Sequence, residues 1–297
     1  MKRVLIITIA LGAINAHAEE YDWEVGAGFA RTTIDSSILI LGSDGPLRSL
    51  PFENEADAID VSAQWFLDGL TIVDGPRTEA PFLSRASSLS FAYSRTEFTD
   101  VIINTDGSTT SNTEDTDALG IAGRYVWRDS GWFVNGSLGR SDAFGDATVV
   151  TLTAGVGLYV AANTTVSATV GLTEIETDFF DDDSSGIIVS VKHIGNFNDQ
   201  WRYGVAANVS NEEAGDADGQ YDIQFSLFPN DEISFRFDTS GPLGSSSFSS
   251  QSYGLSGGWF VLPDLEITGG YQWVDQETSE FIETDIDGFC LGVNYRF

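Results

Sequence analysis

The chain has 297 residues, of which 45 are Asp or Glu and only 14 are Lys or Arg, giving a formal net charge of −31. This acidic excess excludes binding to nucleic-acid phosphates, and the single cysteine excludes a disulfide-stapled fold. Composition alone, with a mean hydropathy of −0.05, resembles that of an ordinary soluble protein.

The first 18 residues have the features of a bacterial secretory signal peptide. Lys2 and Arg3 form a positive start, residues 4–14 are apolar, and Ala16-His17-Ala18 offers small residues at a cleavage site. The apolar run is shorter than the roughly 20 residues that a membrane-spanning helix needs. We therefore expect residues 1–18 to be removed and residues 19–297 to form one domain.

From residue 21 onward, apolar and aromatic residues alternate with small or polar ones in segments of about ten residues. The first segment gathers its larger residues on one face: Tyr21, Trp23, Val25, Ala27 and Phe29. Each segment has about the 9–11 residues with which a tilted strand crosses a bilayer. The pattern predicts an all-β fold, a transmembrane antiparallel β-barrel of about 14 strands, with 12 or 16 as alternatives.

The connections between these segments alternate in length. Those after even-numbered strands are short: 128–131, 161–164, 195–200, 229–231 and 261–264. Those after odd-numbered strands are mostly longer and acidic: 31–57, 99–118, 141–146, 174–185, 210–219, 238–249 and 275–287. Short periplasmic turns and long outer loops are typical of an outer-membrane barrel.

Two stretches do not fit this scheme easily. Segment 67–83 is long for a periplasmic turn, although its glycines and prolines argue against two further strands. Ser36 to Leu41 is apolar for an exposed loop, so we expect it to extend the first hairpin or to pack inside the barrel mouth.

Tryptophan positions support this topology independently of loop length. Six of them are predicted at or near the periplasmic ends of their strands: Trp23, Trp65, Trp127, Trp132, Trp201 and Trp259. An interfacial aromatic girdle requires such clustering, whereas the core of a soluble sandwich does not.

The signal peptide, the alternating aromatic last strand and the terminal Tyr295-Arg296-Phe297 together resemble Gram-negative outer-membrane β-barrel porins. Residues 75–90 also resemble a segment of poorly characterised porins. The resemblance implies location in the cell outer membrane, contact with lipid and lipopolysaccharide, and recognition of Phe297 by the barrel-assembly machinery. A homo-oligomer is left open.

Inward-facing positions of the predicted barrel are mostly small and polar, so fourteen strands should leave a water-filled lumen. Any constriction must come from side chains or an infolded loop. The charged residues in the inward register are Arg124, Lys192, Arg202, Arg236 and Arg296, opposed by Glu24, Asp222 and Glu266. They form either a charged constriction that sorts solutes or ion pairs in the wall, with Arg296 bonding Glu24 where the barrel closes.

An outer-membrane enzyme is the main alternative from another class of function. A barrel hydrolase needs a base, usually His, and the mature chain has only His193, at the predicted periplasmic end of strand eight. Cys290 faces inward without a histidine neighbour in sequence, and no zinc or phosphate-loop spacing occurs. We therefore expect no enzyme, catalytic residue, metal site or cofactor. Asp216, Asp218 and Asp222 are spaced as in part of a calcium loop, so divalent cations at the acidic loops are left open.

The predicted function is that of a passive, water-filled porin for small hydrophilic solutes and ions. The alternatives are a substrate-selective channel, or a structural or adhesive barrel without an open pore. Acidic outer loops and a mildly basic wall predict weak cation preference at low salt that fades or reverses as salt rises.

Overall fold

The computed structural model describes residues 20–40, 48–72, 74–103, 109–143, 147–177, 181–198, 200–212, 219–243, 249–279 and 282–297. The strands are, in chain order, β1 (Glu20–Ile40), β2 (Arg48–Thr71), β3 (Ser88–Ile103), β4 (Thr109–Val126), β5 (Trp132–Ala143), β6 (Ala147–Ala161), β7 (Thr164–Glu176), β8 (Asp181–Asn196), β9 (Arg202–Glu212), β10 (Gln220–Phe228), β11 (Ile233–Pro242), β12 (Ser249–Leu262), β13 (Leu265–Ser279) and β14 (Ile282–Arg296). Between β2 and β3 lie a 3-10 turn, Arg77–Glu79, and a one-turn helix, α1 (Ala80–Leu83). Within the described ranges, no helix is long and apolar enough to cross a membrane.

All fourteen strands form one closed barrel in which each strand pairs antiparallel with its neighbours in sequence. Strand β14 returns to β1 and closes the barrel, with Glu24 opposite Arg296 and Gly28 opposite Gly292. The predicted barrel and its strand number are confirmed. Segment 67–83 adds no strands, because β2 ends at Thr71 and the chain then turns into helical conformation.

The exterior of the barrel is apolar and the interior is polar. Large apolar side chains such as Phe91, Leu138, Val170 and Leu291 are between 44% and 59% exposed on the outer face. Closure leaves no unpaired strand edge, so the backbone polar groups of the strands are satisfied within the sheet. An apolar exterior on such a barrel is the arrangement of a membrane-spanning β-barrel.

Aromatic rings collect on the outer face near both ends of this apolar surface. We call the end with Tyr21 and Phe297 the proximal end, and the opposite end distal. At the proximal end Trp23 stacks on Trp65 with ring centroids 5.9 Å apart. At the distal end Tyr253 stacks on Trp273 at 5.5 Å. These rings have the positions that an amphipathic side chain takes at the boundary between hydrocarbon and headgroups.

Tyr21 departs from the predicted outward face. The pairing of β1 with β2 shifts register between Tyr21 and Trp23, and the N–H groups of Asp22 and Trp23 both donate to the carbonyl of Phe297. The extra residue of such a β-bulge moves the side chains that precede it to the opposite face of the sheet. Tyr21 is therefore buried inside the barrel, at 3% exposure.

The predicted loops 31–57 and 99–118 were wrong over most of their length. The β1–β2 ladder continues through Arg31 opposite Asp57 to Ile40 opposite Arg48, and the β3–β4 ladder continues to Ile103 opposite Thr109. The regular alternation of apolar and polar residues stops here, while backbone pairing continues. Ser36–Ile40 extends the first hairpin, as predicted, and Leu41 lies outside the described residues.

Candidate functional site: a plug in the proximal mouth

The connection between β2 and β3 folds back into the barrel rather than out of it. We call residues 74–87 the plug. Pro76 and Pro81 prevent strand pairing here because proline has no N–H to donate, and Pro81 instead lies in the first turn of α1. Gly75 is required by close packing, because a Cβ at this position would collide with the side chain of Leu83 and come within 3.0 Å of Arg202 Nη1.

Apolar residues of the plug complete a small core inside the proximal mouth. Phe82, at 5% exposure, packs in a cluster whose other members come from the wall: Val126, Phe133, Tyr159, Ile194 and Phe228. Ala80 and Ala86 join a second cluster: Tyr21, Phe66 and Leu70. The two clusters draw on at least seven strands, so the plug is held across the mouth and not against one side of it.

A buried ion pair joins the plug to the wall. Glu79 Oε2 lies 2.6 Å from Lys192 Nζ on β8, and the side chain of Glu79 is only 5% exposed. The Lys192 ammonium also lies 5.0 Å from the centroid of the Phe82 ring. A carboxylate this deeply buried needs its partner, because an uncompensated buried charge is strongly destabilising.

A second set of polar contacts lies at the proximal rim. Arg202 Nη2 is 2.8 Å from Asp74, whose side chain is 94% exposed, and Arg202 Nη1 is 3.3 Å from Asp231. Such exposed pairs contribute little. Arg77 donates its backbone N–H to the carbonyl of Asp231 and its Nη1 to the carbonyl of Pro263, both at 2.9 Å.

The closure of the barrel is tied to the plug through Arg296. Arg296 is 3% exposed, and its Nε donates to the Glu24 carboxylate across the β1–β14 seam, the pair that the register predicts. Its Nη1 donates to the carbonyl of Arg77 at 2.9 Å, and its guanidinium lies over the ring of Phe260. One wall arginine thus contacts both the seam and the plug backbone.

Tyr159 makes a further link on the opposite side. Its hydroxyl donates to the carbonyl of Phe82 at 2.8 Å and accepts from Arg124 Nη2 at 3.1 Å. Arg85 of the plug lies over the same ring at 4.7 Å and has a φ of 53°, the one positive φ among the described non-glycine residues. Backbone strain of this kind persists only where surrounding contacts hold it.

The structure brings together most of the charged residues that the sequence placed in the lumen. Six lie at the level of the plug: Glu24, Arg124, Lys192, Arg202, Glu266 and Arg296. Glu266 is 6% exposed and accepts from Asn294 Nδ2 at 3.1 Å. Arg236 and Asp222 lie further from the proximal mouth, and Asp222 accepts from Asn208 Nδ2 at 2.8 Å. The alternative of wall ion pairs is thus realised, with one partner of the Lys192 pair supplied by the plug.

Beyond the plug the wall of the lumen is made of small residues. One cavity there has a volume of about 340 Å³ and is lined on its inner side by Ala30, Gly254, Ser256, Gly270, Gly288 and Cys290. Two carboxylates that sequence reasoning missed also face this space. Asp60 lies over Gly28, and Asp238 lies over Gly254. Asp238 falls in the predicted loop 238–249, whereas Asp60 lies in the inward register of the predicted second strand and was left out of the set of lumen charges.

The histidine and the calcium-loop aspartates that the sequence singled out do not form a site among the described residues. His193 Nδ1 is 2.8 Å from Thr164 Oγ1, and its ring lies 5.8 Å from that of Tyr203 at the proximal end of the wall. Asp216 and Asp218 lie outside the described residues. Among the side chains that are described, no group of three or more His, Cys, Asp or Glu could hold a metal ion.

Fold and site together define a plugged membrane-spanning β-barrel. No family model and no curated protein matches the sequence. Among solved structures, the chain is similar to the Acinetobacter baumannii outer membrane protein Omp33, with 18% identity, 94% of this chain and 99% of that chain covered, and a TM-score of 0.58. It is also similar to a deltaS2 mutant of the TodX monoaromatic hydrocarbon channel, with 11% identity, 93% and 90% coverage, and a TM-score of 0.48. At this identity the likeness to Omp33 shows the shared fold.

Proposed function

We propose that this protein is an outer-membrane porin, a passive channel for small hydrophilic solutes and ions that is closed in this structure by the plug. The observation that carries the proposal is the combination of a small, polar lumen wall with a plug docked in one mouth of that lumen. An apolar exterior and aromatic girdles support the membrane setting. Lipid and lipopolysaccharide would contact that exterior.

In this proposal the proximal end faces the periplasm and residues 1–18 are cleaved on export. Permeation requires no chemistry: the lumen sieves by size and its charges bias the ions that enter. The plug adds an opening step, because a solute must pass the proximal mouth, which is blocked in this structure by Phe82, Glu79 and Arg77.

The test is conductance with and without the plug. Residues 76–85 are replaced by Gly and Ser at equal length, and purified barrels are reconstituted in planar bilayers. We expect rare or small openings in the unaltered protein and steady, larger openings in the variant. Gly/Ser replacement of residues 128–131, a turn at the same end, serves as the matched control and should leave conductance unchanged.

Two results would contradict the proposal. No discrete openings from either protein, in barrels shown to be folded by heat-modifiable gel mobility, would favour a structural or adhesive barrel. Equal conductance of the two proteins would show that the plug does not obstruct the path.

A further inference from the structure

Arg124 differs from the other wall bases at the plug because no carboxylate neutralises it. Lys192, Arg202 and Arg296 each contact at least one carboxylate. Within the described residues, no carboxylate oxygen lies within salt-bridge distance of Arg124, although the side chain is half-buried. Its Nε is buried and without a hydrogen-bond partner.

Aromatic rings hold this guanidinium in place. Its central carbon lies 4.1 Å from the centroid of Phe133 and 5.5 Å from that of Tyr159, while Nη2 donates to the Tyr159 hydroxyl. Cation–π contacts position an arginine without cancelling its charge. The guanidinium is thereby held in one place with its charge unneutralised, and the ligand that an arginine in this state favours is a carboxylate or a phosphate.

The location gives access from the lumen. Arg124 is one inward position further from the proximal mouth than Val126, which packs against Phe82. It therefore covers the lumen side of the apolar cluster. The same side of β4 beyond it, towards the distal end, carries Ala122, Gly120 and Ala118, and the space over Gly120 is open.

Neighbouring polar groups point to the same kind of ligand. Arg124 pairs with Ser88 on β3 and with Asn135 on β5, so all three side chains face the lumen together. Ser88 Oγ accepts from Gln64 Nε2 at 2.9 Å, which leaves its own proton available to a ligand. The Asn135 Oδ1 lies over Gly155 on β6 and has no hydrogen-bond partner, so this oxygen does not fix the amide, and the side chain can turn an N–H towards a ligand at Arg124.

We infer that Arg124, Ser88 and Asn135 form a binding site for the anionic group of a small solute, a carboxylate or a phosphate, on the lumen side of the plug. This deepens the proposed function by naming the solute class that pauses before the closed mouth. Asp60, Asp222 and Asp238 bias the wider lumen against anions, so the site selects anions at contact range and does not attract them from a distance.

The test measures binding to the full-length mature barrel in detergent, so it does not depend on conduction. Acetate and inorganic phosphate are the probes, and acetamide is the uncharged analogue of acetate. Saturation-transfer NMR on the acetate and acetamide methyl groups and phosphorus line broadening report binding. We expect saturable binding of acetate or phosphate. The anion that binds more tightly shows whether the site takes carboxylate or phosphate solutes. Acetamide should not bind.

Arg124→Gln should weaken binding about tenfold or more. Arg236→Gln, which removes another inward arginine, is the matched control and should bind as the unaltered protein does. Heat-modifiable mobility checks the barrel, and tryptic cleavage after Arg77 and Arg85 checks that the plug stays docked. Equal binding by Arg124→Gln, equal binding of acetamide, or no binding of either anion would overturn the inference. Failure of the channel proposal would show instead as absent conductance with this binding intact.

Discussion

Lys192 on the barrel wall and Glu79 on the plug form an ion pair with 2.6 Å between Nζ and Oε2, and the Glu79 side chain is almost fully buried. The Arg202–Asp74 pair has a similar length but an exposed carboxylate. Because the Glu79 carboxylate is buried and the Asp74 carboxylate lies in solvent, breaking the first pair should cost far more than breaking the second. The stability of the docked plug therefore depends on a carboxylate, Glu79, that lies in the plug and not in a strand.

Reversing either charge of this pair should release the plug. Lys192→Glu or Glu79→Lys places like charges together in a buried site, at a cost of about 3–5 kcal/mol. That cost shifts the closed-to-open equilibrium by about 100-fold or more. We expect both variants to show higher open probability in planar bilayers. The double exchange, Glu79→Lys with Lys192→Glu, should return most of the closed behaviour, and a double variant as open as the singles would contradict the assignment.

Phe82→Ala should also weaken closure, through packing and not charge. Removing a buried phenylalanine costs about 3–5 kcal/mol because of lost burial and the cavity left behind. Since the cluster joins plug to wall, the loss should appear as faster tryptic cleavage after Arg77 and Arg85 and as higher conductance. Phe91→Ala removes a lipid-facing ring and serves as the control. Unchanged cleavage in Phe82→Ala would show that the polar contacts alone hold the plug.

Tyr159→Phe tests the hydrogen bond to the plug while leaving the ring in place. The change removes the donor to the Phe82 carbonyl and the acceptor for Arg124 Nη2. The Phe82 carbonyl keeps its hydrogen bond from the Arg85 N–H at 3.2 Å, so the change costs two hydrogen bonds of about 0.5–1.5 kcal/mol each. We expect plug cleavage rates between those of the unaltered protein and Phe82→Ala. A rate equal to the unaltered protein's would mean that the Tyr159 hydroxyl does not help to hold the plug.

Barrel class, strand number and closing register could be predicted from the sequence because strand periodicity is local. The inward orientation of the Tyr21 side chain could not be predicted, because it depends on the N–H groups of Asp22 and Trp23 both donating to the Phe297 carbonyl. The plug left one signal, the length of segment 67–83 with its prolines. Its direction is set by contacts with Ile194, Phe228 and Lys192, which lie more than 100 residues away along the chain.

The inward charges show the same limit. Alternation placed Lys192 and Arg296 in the lumen, and register supplied Glu24 as a partner for Arg296. Glu79 could not be found as a partner for Lys192, because nothing in a strand pattern places a connecting segment inside a barrel.

Cys290 offers a direct test of the water-filled lumen. It lies on the inner face of β14, is exposed, and is the chain's one cysteine. A charged methanethiosulfonate reagent should modify it in the folded, membrane-inserted protein, and the resulting adduct should reduce conductance in a variant whose plug has been replaced. Cys290→Ser should be unaffected. No modification of the folded protein would show that the lumen at this level is closed to solutes of that size.

Ion selectivity should follow the carboxylates of the lumen more closely than its arginines. The expected reversal at high salt rested on a basic wall, but Arg202 and Arg296 contact carboxylates, Asp74 and Glu24, that remain when residues 76–85 are replaced. Asp60 and Asp238 face the lumen beyond it. We therefore expect a plug-replaced channel to prefer cations from low salt up to at least 0.15 M, where the Debye length of about 8 Å still lets wall charges act on ions within the lumen.

Reversal potentials under a KCl gradient measure this preference. Asp60→Asn with Asp238→Asn should lower the potassium-to-chloride permeability ratio at every salt concentration, because both charges lie on the path. Asp115→Asn, on the outer face where Asp115 pairs with Arg95, is the control and should change nothing. The contrary result is a cation preference that vanishes at 0.15 M salt in the channel with both lumen aspartates intact. It would show that distant loop charges, which salt screens, determine selectivity.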